Sequence, residues 1–379
     1  MNRKKGNNMS NRILVLLLAV ASTILTACAP VQQGVKETKT ASELVYPAPP
    51  DDPRFIYERT IRGSADVVPV DDEFGLRSAL TGERQTTRVL GKPYAVAVHQ
   101  GRIFISDTAE RVVKVFDVPG SRYFTIGEDE GSLLSKPIGI DVDHTGTLYV
   151  ADASAKAIMI YDRDGKFLRK IASPKSEKLF DRLTSVSVDP EGKRLYVVDI
   201  GGVSSTNHRV MVFDALSGEH LSDIGKRGNG PGEFNLPRDV AVGKDGRLYV
   251  VDGGNFRVQI FDAGGKYLQS FGSVGKQLGN FARPKEIATD PEGNVYVIDS
   301  AFGNFQIFTP DGELLMFVGD RSEREAPGRY MLPSGVAVDE DGRVYVIDQW
   351  FRKLDVFRPY NMQAEEGFLV TRPKAATGK

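Results

Sequence analysis

The strongest constraint in this chain is a repeat. An Asp closes a short apolar run at Asp107, Asp152, Asp199, Asp252, Asp299 and Asp348, at intervals of 45, 47, 53, 47 and 49 residues. A Gly precedes that run each time, as Gly101, Gly146, Gly192, Gly246, Gly293 and Gly342. The fourth copy is the clearest. It reads Leu236-Pro237-Arg238-Asp239-Val240-Ala241-Val242, Asp245-Gly246, Leu248-Tyr249-Val250-Val251-Asp252, then Asn255, Arg257, Val258-Gln259-Ile260-Phe261 and Tyr267-Leu268-Gln269-Ser270-Phe271-Gly272. Each copy holds four alternating runs rich in Val, Ile, Tyr and Phe, parted by Gly, Asp and Pro. Alternation at period two reads as strands, and x-Gly turns supply the positive φ of two-residue hairpins. Four strands in about 40–50 residues make one propeller blade. A lone blade leaves its apolar faces uncovered, so the six must close into one ring. The expected fold class is all-β, a six-bladed β-propeller of four-stranded blades.

Closure is also legible. The sixth repeat has three strands (335–338, 344–348 and 354–357) and no good fourth directly after them. Phe55-Ile56-Tyr57-Glu58-Arg59-Thr60-Ile61-Arg62-Gly63 matches the fourth-strand pattern of 267–272. The N-terminal strand is therefore expected to complete blade six and remove the exposed sheet edges. A weaker candidate for that place is 367–370. The repeats then span about 92–127, 136–171, 182–225, 236–272, 283–319 and 332–360 plus 55–63, with a C-terminal tail at 361–379.

The consensus Pro-x-x-Val-Ala-Val, x-Asp-Gly-x-Val-Tyr-Val-x-Asp, Asn-x-Arg-Val-x-x-Phe resembles the NHL repeat. The likeness covers about 55–360 and is strongest in repeats four to six; the third has Leu183 in place of Pro and an insertion around 201–207. This resemblance implies a bacterial NHL-type six-bladed propeller lipoprotein. It implies little about function, because the scaffold serves binders and enzymes alike.

The N-terminus carries its own address. Arg3, Lys4, Lys5 and Arg12 form a basic region before an uncharged apolar run from Ile13 to Leu25, shorter than the roughly 20 residues a spanning helix needs. Leu25-Thr26-Ala27-Cys28 resembles the bacterial lipobox, cleaved before a Cys that becomes lipid-modified, and Cys28 is the chain's one Cys. The expected division is a signal peptide at 1–27 and a lipidated Cys28 on a Pro-rich tether at 28–54. Each buried methylene of an acyl chain adds about 0.8 kcal/mol of membrane affinity. By the resemblance, Ala29 in place of Asp favours the outer membrane of a bacterial envelope. Without the four N-terminal cations, 45 of the 49 basic side chains remain against 50 acidic ones. Such a surface does not recruit nucleic acid. With 41% hydrophobic and 26% charged residues, the composition excludes wholesale disorder and a polytopic membrane protein.

A functional site should break the repeat's symmetry, whereas the six recurring Asp residues are expected to hold turns. Just after the leading Pro, the blades read Tyr94-Ala95, Ile138-Gly139, Thr184-Ser185, Arg238-Asp239, Lys285-Glu286 and Ser334-Gly335. Blades four and five alone place a cation beside a carboxylate there. Loops expected on the same face add Phe256, Arg257, Phe302, Trp350 and Arg352. Two readings of this cluster stand: a binding patch for an envelope protein, peptide or glycan, or solvated ion pairs with aromatics packed between blades. Arg238 and Lys285 are the expected partners of Asp239 and Glu286.

No constellation for nucleophilic or dinucleotide chemistry stands in a convincing context. His99, His144 and His220 are expected on the face opposite His208, so no tetrahedral metal site can form. No cofactor is expected under the binding reading. Lactonase-like propellers hold calcium in the central channel, and Asp239 and Glu286 are the two ligands this chain could offer in an alternative, calcium-dependent hydrolase reading. Finally, Gly63 to Pro93 is the longest inter-blade connection; 71–80 could form a short helix, and the loop is expected to lie partly over the channel mouth.

Overall fold

Six antiparallel sheets stand around a central channel in the computed structural model, which describes residues 43–69, 80–81, 87–173, 178–201 and 205–371. Each blade runs from its innermost strand outward: Pro93–His99 to Arg122–Ile126 in blade one, Pro137–Val142 to Phe167–Ala172 in blade two, and Leu183–Val188 to His220–Ile224 in blade three. Pro237–Val242 to Tyr267–Phe271 and Pro284–Thr289 to Leu314–Val318 form blades four and five. Innermost strands touch one another around the whole circle, the sixth against the first. Cys28 and the signal-like segment lie outside the described residues.

Blade six closes as its sequence foretold. Phe55–Ile61 pairs with Lys353–Pro359, outside Val344–Asp348 and Pro333–Val338. The tether begins to fold earlier than the boundary at 54 suggested: Val45–Tyr46 adds a fifth strand, with Val45 opposite Ile56. The edge of Tyr46 packs on Phe357, 5.5 Å between ring centroids. Residues 367–370 form no strand. Leu369 instead buries in the cluster joining blades six and one, and the Phe368 amide donates to Asp341 at 2.6 Å.

The second and third strands of each blade are covered on both faces by neighbouring blades, and so read as continuous apolar runs. Leu248–Asp252 and Val295–Asp299 are buried throughout. Fourth strands keep one solvated face and alternate accordingly, as in Phe167–Ala172. Hairpins between first and second strands turn on glycines with φ between +70° and +92°, from Gly192 to Gly293, a region costly for residues bearing a Cβ. Apolar clusters bridge adjacent blades; one joins Val198 and Phe234 to Val250 and Phe261.

The recurring Asp does more than cap its turn. Asp299 accepts the amides of Ala301 and Phe302 in its own turn, and also those of Ala282 at 2.7 Å and Arg283 at 2.9 Å, just before the innermost strand. Asp107, Asp152, Asp199, Asp252 and Asp348 grip the same segment of their own blades. All six are fully buried. Each carboxylate thus fixes the approach of the chain to the channel, with charge-assisted bonds worth about 1.5–3 kcal/mol each.

Candidate functional site

The channel wall is bolted by side chains at every junction between innermost strands. Ser334 Oγ donates to the Tyr94 carbonyl across blades six and one at 2.8 Å, and Ser106 Oγ to the Ile138 carbonyl at 2.7 Å. Asp141 accepts from the Ser187 hydroxyl and the Val188 amide at 2.9 and 2.8 Å. Ser185 donates to Asp239, which also accepts the Val240 amide at 2.8 Å and the Ile287 amide of the next blade at 2.9 Å. The Val336 amide of blade six donates to Glu286. Burial pushes Asp141 and Asp239 up to about 6, against the pull of these donors. Glu286 is driven well above the ordinary carboxylate range by burial and by Asp239, with Lys285 opposing.

Asp239 and Glu286, 7% and 8% exposed, are therefore struts of the ring. Their expected ion pairs with Arg238 and Lys285 are not made. Successive side chains on a strand point to opposite faces, so neighbours in sequence part company in space. The carboxylates turn into the wall while Arg238 and Lys285 turn to the mouth. There a cavity of about 250 Å³ is lined by Tyr94 of blade one, Thr184 of blade three, Arg238 of blade four, Arg283, Lys285 and Glu286 of blade five, and Gln349 of blade six. Below it lies a channel cavity of about 200 Å³, reached by Asp141, Asp239 and Glu286.

Tyr94 leans across the opening. It starts in blade one, yet Lys285 Nζ of blade five sits 4.5 Å from its ring centroid, and it packs on the clusters of blades one, two and three. Burial, then the charge of Glu286, pushes its phenol up to about 12, with Arg238 and Arg182 opposing. Among the described residues, Arg182, Arg238, Arg283 and Lys285 make no ion pair and no side-chain hydrogen bond. Lys92 and Lys136 occupy the positions equivalent to Arg182 and Arg283 in blades one and two, and are likewise without a carboxylate partner. Burial lowers Lys285 below the ordinary lysine range; Glu286 opposes this, and Arg283 and Arg238 add to it.

The remaining residues singled out from sequence separate. Arg257 is a strut: Nε donates to Asp252 at 2.9 Å, and Nη2 to the carbonyls of Gly230 and Glu233 at 2.7 and 3.0 Å. Phe256, at φ +55°, packs on the cluster of blades four and five. Phe302 is half-buried in its turn, its amide held by Asp299. Trp350 is 64% exposed and Arg352 is also exposed, but Gln349, not Trp350, lines the mouth. Tyr94, Arg283 and Gln349 are the residues the sequence reading passed over. An aromatic where the other five blades have Ile138, Thr184, Arg238, Lys285 and Ser334 was the available signal.

Calcium needs six to eight oxygen ligands. Both Asp239 oxygens are occupied by protein donors, and no group of three His, Cys, Asp or Glu side chains among the described residues could hold a metal ion. The donor set does not fit. His99 pairs with Glu340 and His220 with Asp223, each at 2.8 Å, while buried His208 accepts the Leu236 amide. The connection from Gly63 to Pro93 is anchored at both ends: Gly63 bridges Val89, and Val67 and Leu90 are buried between blades six and one. Of its expected helix at 71–80, residues 71–79 lie outside the described residues.

A family described as a 6-bladed beta-propeller matches residues 175–269. NHL repeat-containing protein 3 of Mus musculus is 26% identical over 189 residues, covering 45% of this chain and 52% of that protein. Its Homo sapiens counterpart is 25% identical over 192. The chain spans about half the length of the curated relatives it matches. A Bacteroides thetaiotaomicron protein of unknown function superposes with a TM-score of 0.57 at 15% identity, covering 79% of this chain and 76% of that one. A gluconolactonase of Xanthomonas campestris gives 0.53 at 15% identity, covering 71% and 86%. At such identity the likeness is one of fold alone.

Proposed function

This chain is a six-bladed propeller of NHL-type repeats, and we propose that it serves as a lipid-anchored, extracytoplasmic binding protein for an envelope protein, peptide or glycan. The observation that carries the reading is the mouth cavity, where Arg238, Arg283 and Lys285 converge around Tyr94 and make no ion pair among the described residues. Cations without partners at a concave, partly aromatic surface suit recognition of a partner's complementary charge. The export-like N-terminus and Cys28 in its lipobox-like setting support the anchor. The calcium-dependent hydrolase reading draws on the gluconolactonase likeness in fold, but Asp239 and Glu286 serve as struts of the ring.

Three measurements test this. Mass spectrometry of the native protein should find an acylated Cys28, and Cys28→Ala should release the chain from the membrane fraction; retention after that change defeats the anchor. Purified protein should turn over none of a panel of lactones and esters, with or without calcium. Metal-dependent turnover would overturn the binding reading.

A further inference from the structure

We propose that the mouth cavity is a subsite for the carboxylate of an acidic sugar residue, such as a uronic acid in a glycan. The carboxylate would sit among Arg238, Arg283 and Lys285, and the sugar's hydroxyls would meet Gln349 and Thr184. The inference rests on the mouth being the binding surface and adds the chemistry of what it binds.

Charge comes first. Arg238 from blade four and Arg283 and Lys285 from blade five converge on one cavity of about 250 Å³. The nearest carboxylates form no ion pair with them: Asp239 is spent on Ser185 and Ile287, and Glu286, which lines the cavity floor, accepts the Val336 amide and is held towards its neutral form by burial and by Asp239. Three close cations that make no ion pair among the described residues repel one another, as Arg283 and Arg238 do Lys285, and one entering anion relieves all three. A second observation is independent of charge. Gln349 Nε2, which lines the same cavity, is buried without a hydrogen-bond acceptor. Such donors are rare in folded proteins and point to a missing oxygen.

Size and donor type select the class. The cavity is smaller than the roughly 300–1,000 Å³ of pockets that enclose a drug-sized ligand, so it suits one ring with its substituent. Peptide carboxylates are typically captured by nests of backbone amides, and peptide strands by free sheet edges. Here the amides entering the innermost strands are already taken: those of Ala282 and Arg283 by Asp299, those of Met331 and Leu332 by Asp348. What remains to a ligand is side-chain charge, the Gln349 amide, hydroxyls and the apolar edges of Tyr94 and Leu332. A pyranose with a carboxylate offers the matching mixture.

The test uses the mature chain in calorimetric titration with three probes: a galacturonic acid trimer, a neutral galactose trimer and an acidic peptide. The uronate trimer should bind and the neutral trimer should not. Raising salt should weaken the uronate complex, because exposed charge is screened beyond about 8 Å at physiological ionic strength. Arg238→Ala with Arg283→Ala should cost at least tenfold in affinity, and Gln349→Ala about threefold, with melting temperature unchanged. Equal, mouth-dependent binding of both sugars would keep the mouth as the site and sink the carboxylate inference. Capture of the peptide but not the uronate, or of no probe at millimolar concentration, would overturn it too. Uronate binding that ignores the double variant would remove the site from the mouth, and both readings would fall.

Discussion

The two faces of the ring use the same residue types to opposite ends. On the face of the first hairpin turns, guanidinium groups are matched to carboxylates: Arg102 to Asp117 at 2.9 Å, Arg247 to Asp311 at 2.8 Å, and buried Arg343 to Glu58 at 2.9 Å. Arg343 also donates to the Glu366 carbonyl, and Arg358 joins Glu43 to the carbonyl of Met362. Charge there closes the ring and ties both ends of the fold to blade six. At the mouth, Arg238 and Arg283 tie nothing together. Charge used for cohesion is paired, whereas at Arg238 and Arg283 it is exposed and makes no ion pair among the described residues.

The largest effect should come from the seam. A chain beginning at residue 64 loses Phe55, Ile56 and Ile61 from the core of blade six, on the order of 5 kcal/mol of burial. Cooperative thermal melting should disappear; a melt like that of the intact chain would mean that the seam is dispensable. Next, Arg343→Met takes from buried Glu58 its buried partner, leaving it only the more exposed Arg59, and removes the donor to the Glu366 carbonyl; it should cost about 3 kcal/mol, whereas Arg283→Ala should stay within about 0.5 kcal/mol. Chemical denaturation of the pair tests the contrast directly, and equal losses would erase it.

The smallest effect concerns pH. Asp239 ionises near 3.8 when unfolded and at about 6 in the ring, raised by burial. Its contribution is therefore whole below pH 4 and is lost as pH rises through about 6, an effect on the order of 2–3 kcal/mol. Between pH 4 and 7, Asp239→Asn should show a flatter stability profile than the parent. Parallel melting curves across that range would mean that Asp239 does not titrate as a strut.

What repeats was legible in the sequence, and so was part of what breaks the repeat. The intervals between turn Asp residues gave the blades, and the orphaned strand at Phe55 gave the closure. Arg238 and Lys285 stood out because no other blade has a cation after the leading residue. The carboxylates beside them were misread as partners, because adjacency in a strand means opposite faces. Arg257 was misread because a repeated polar slot does not reveal that its donors are spent on the loop before its own blade. Gln349 was hidden beside Trp350, whose rarity attracts notice, while the smaller neighbour turns inward.

Closure through the N-terminal strand has a consequence for how such a chain comes into being. Thr60 bonds Asp355 across 295 positions of sequence, and Arg358 reaches Glu43 across 315. The fourth strand of blade six, Phe55–Ile61, emerges early in synthesis and waits for a partner that emerges near the end. Contacts this distant slow folding, and until they form the nascent ring carries an unpaired strand edge. A product cut short anywhere before Lys353 can never cover that strand. Every such unfinished chain thus shares one exposed edge that the finished chain covers, and a protease or chaperone can read it without inspecting any other blade.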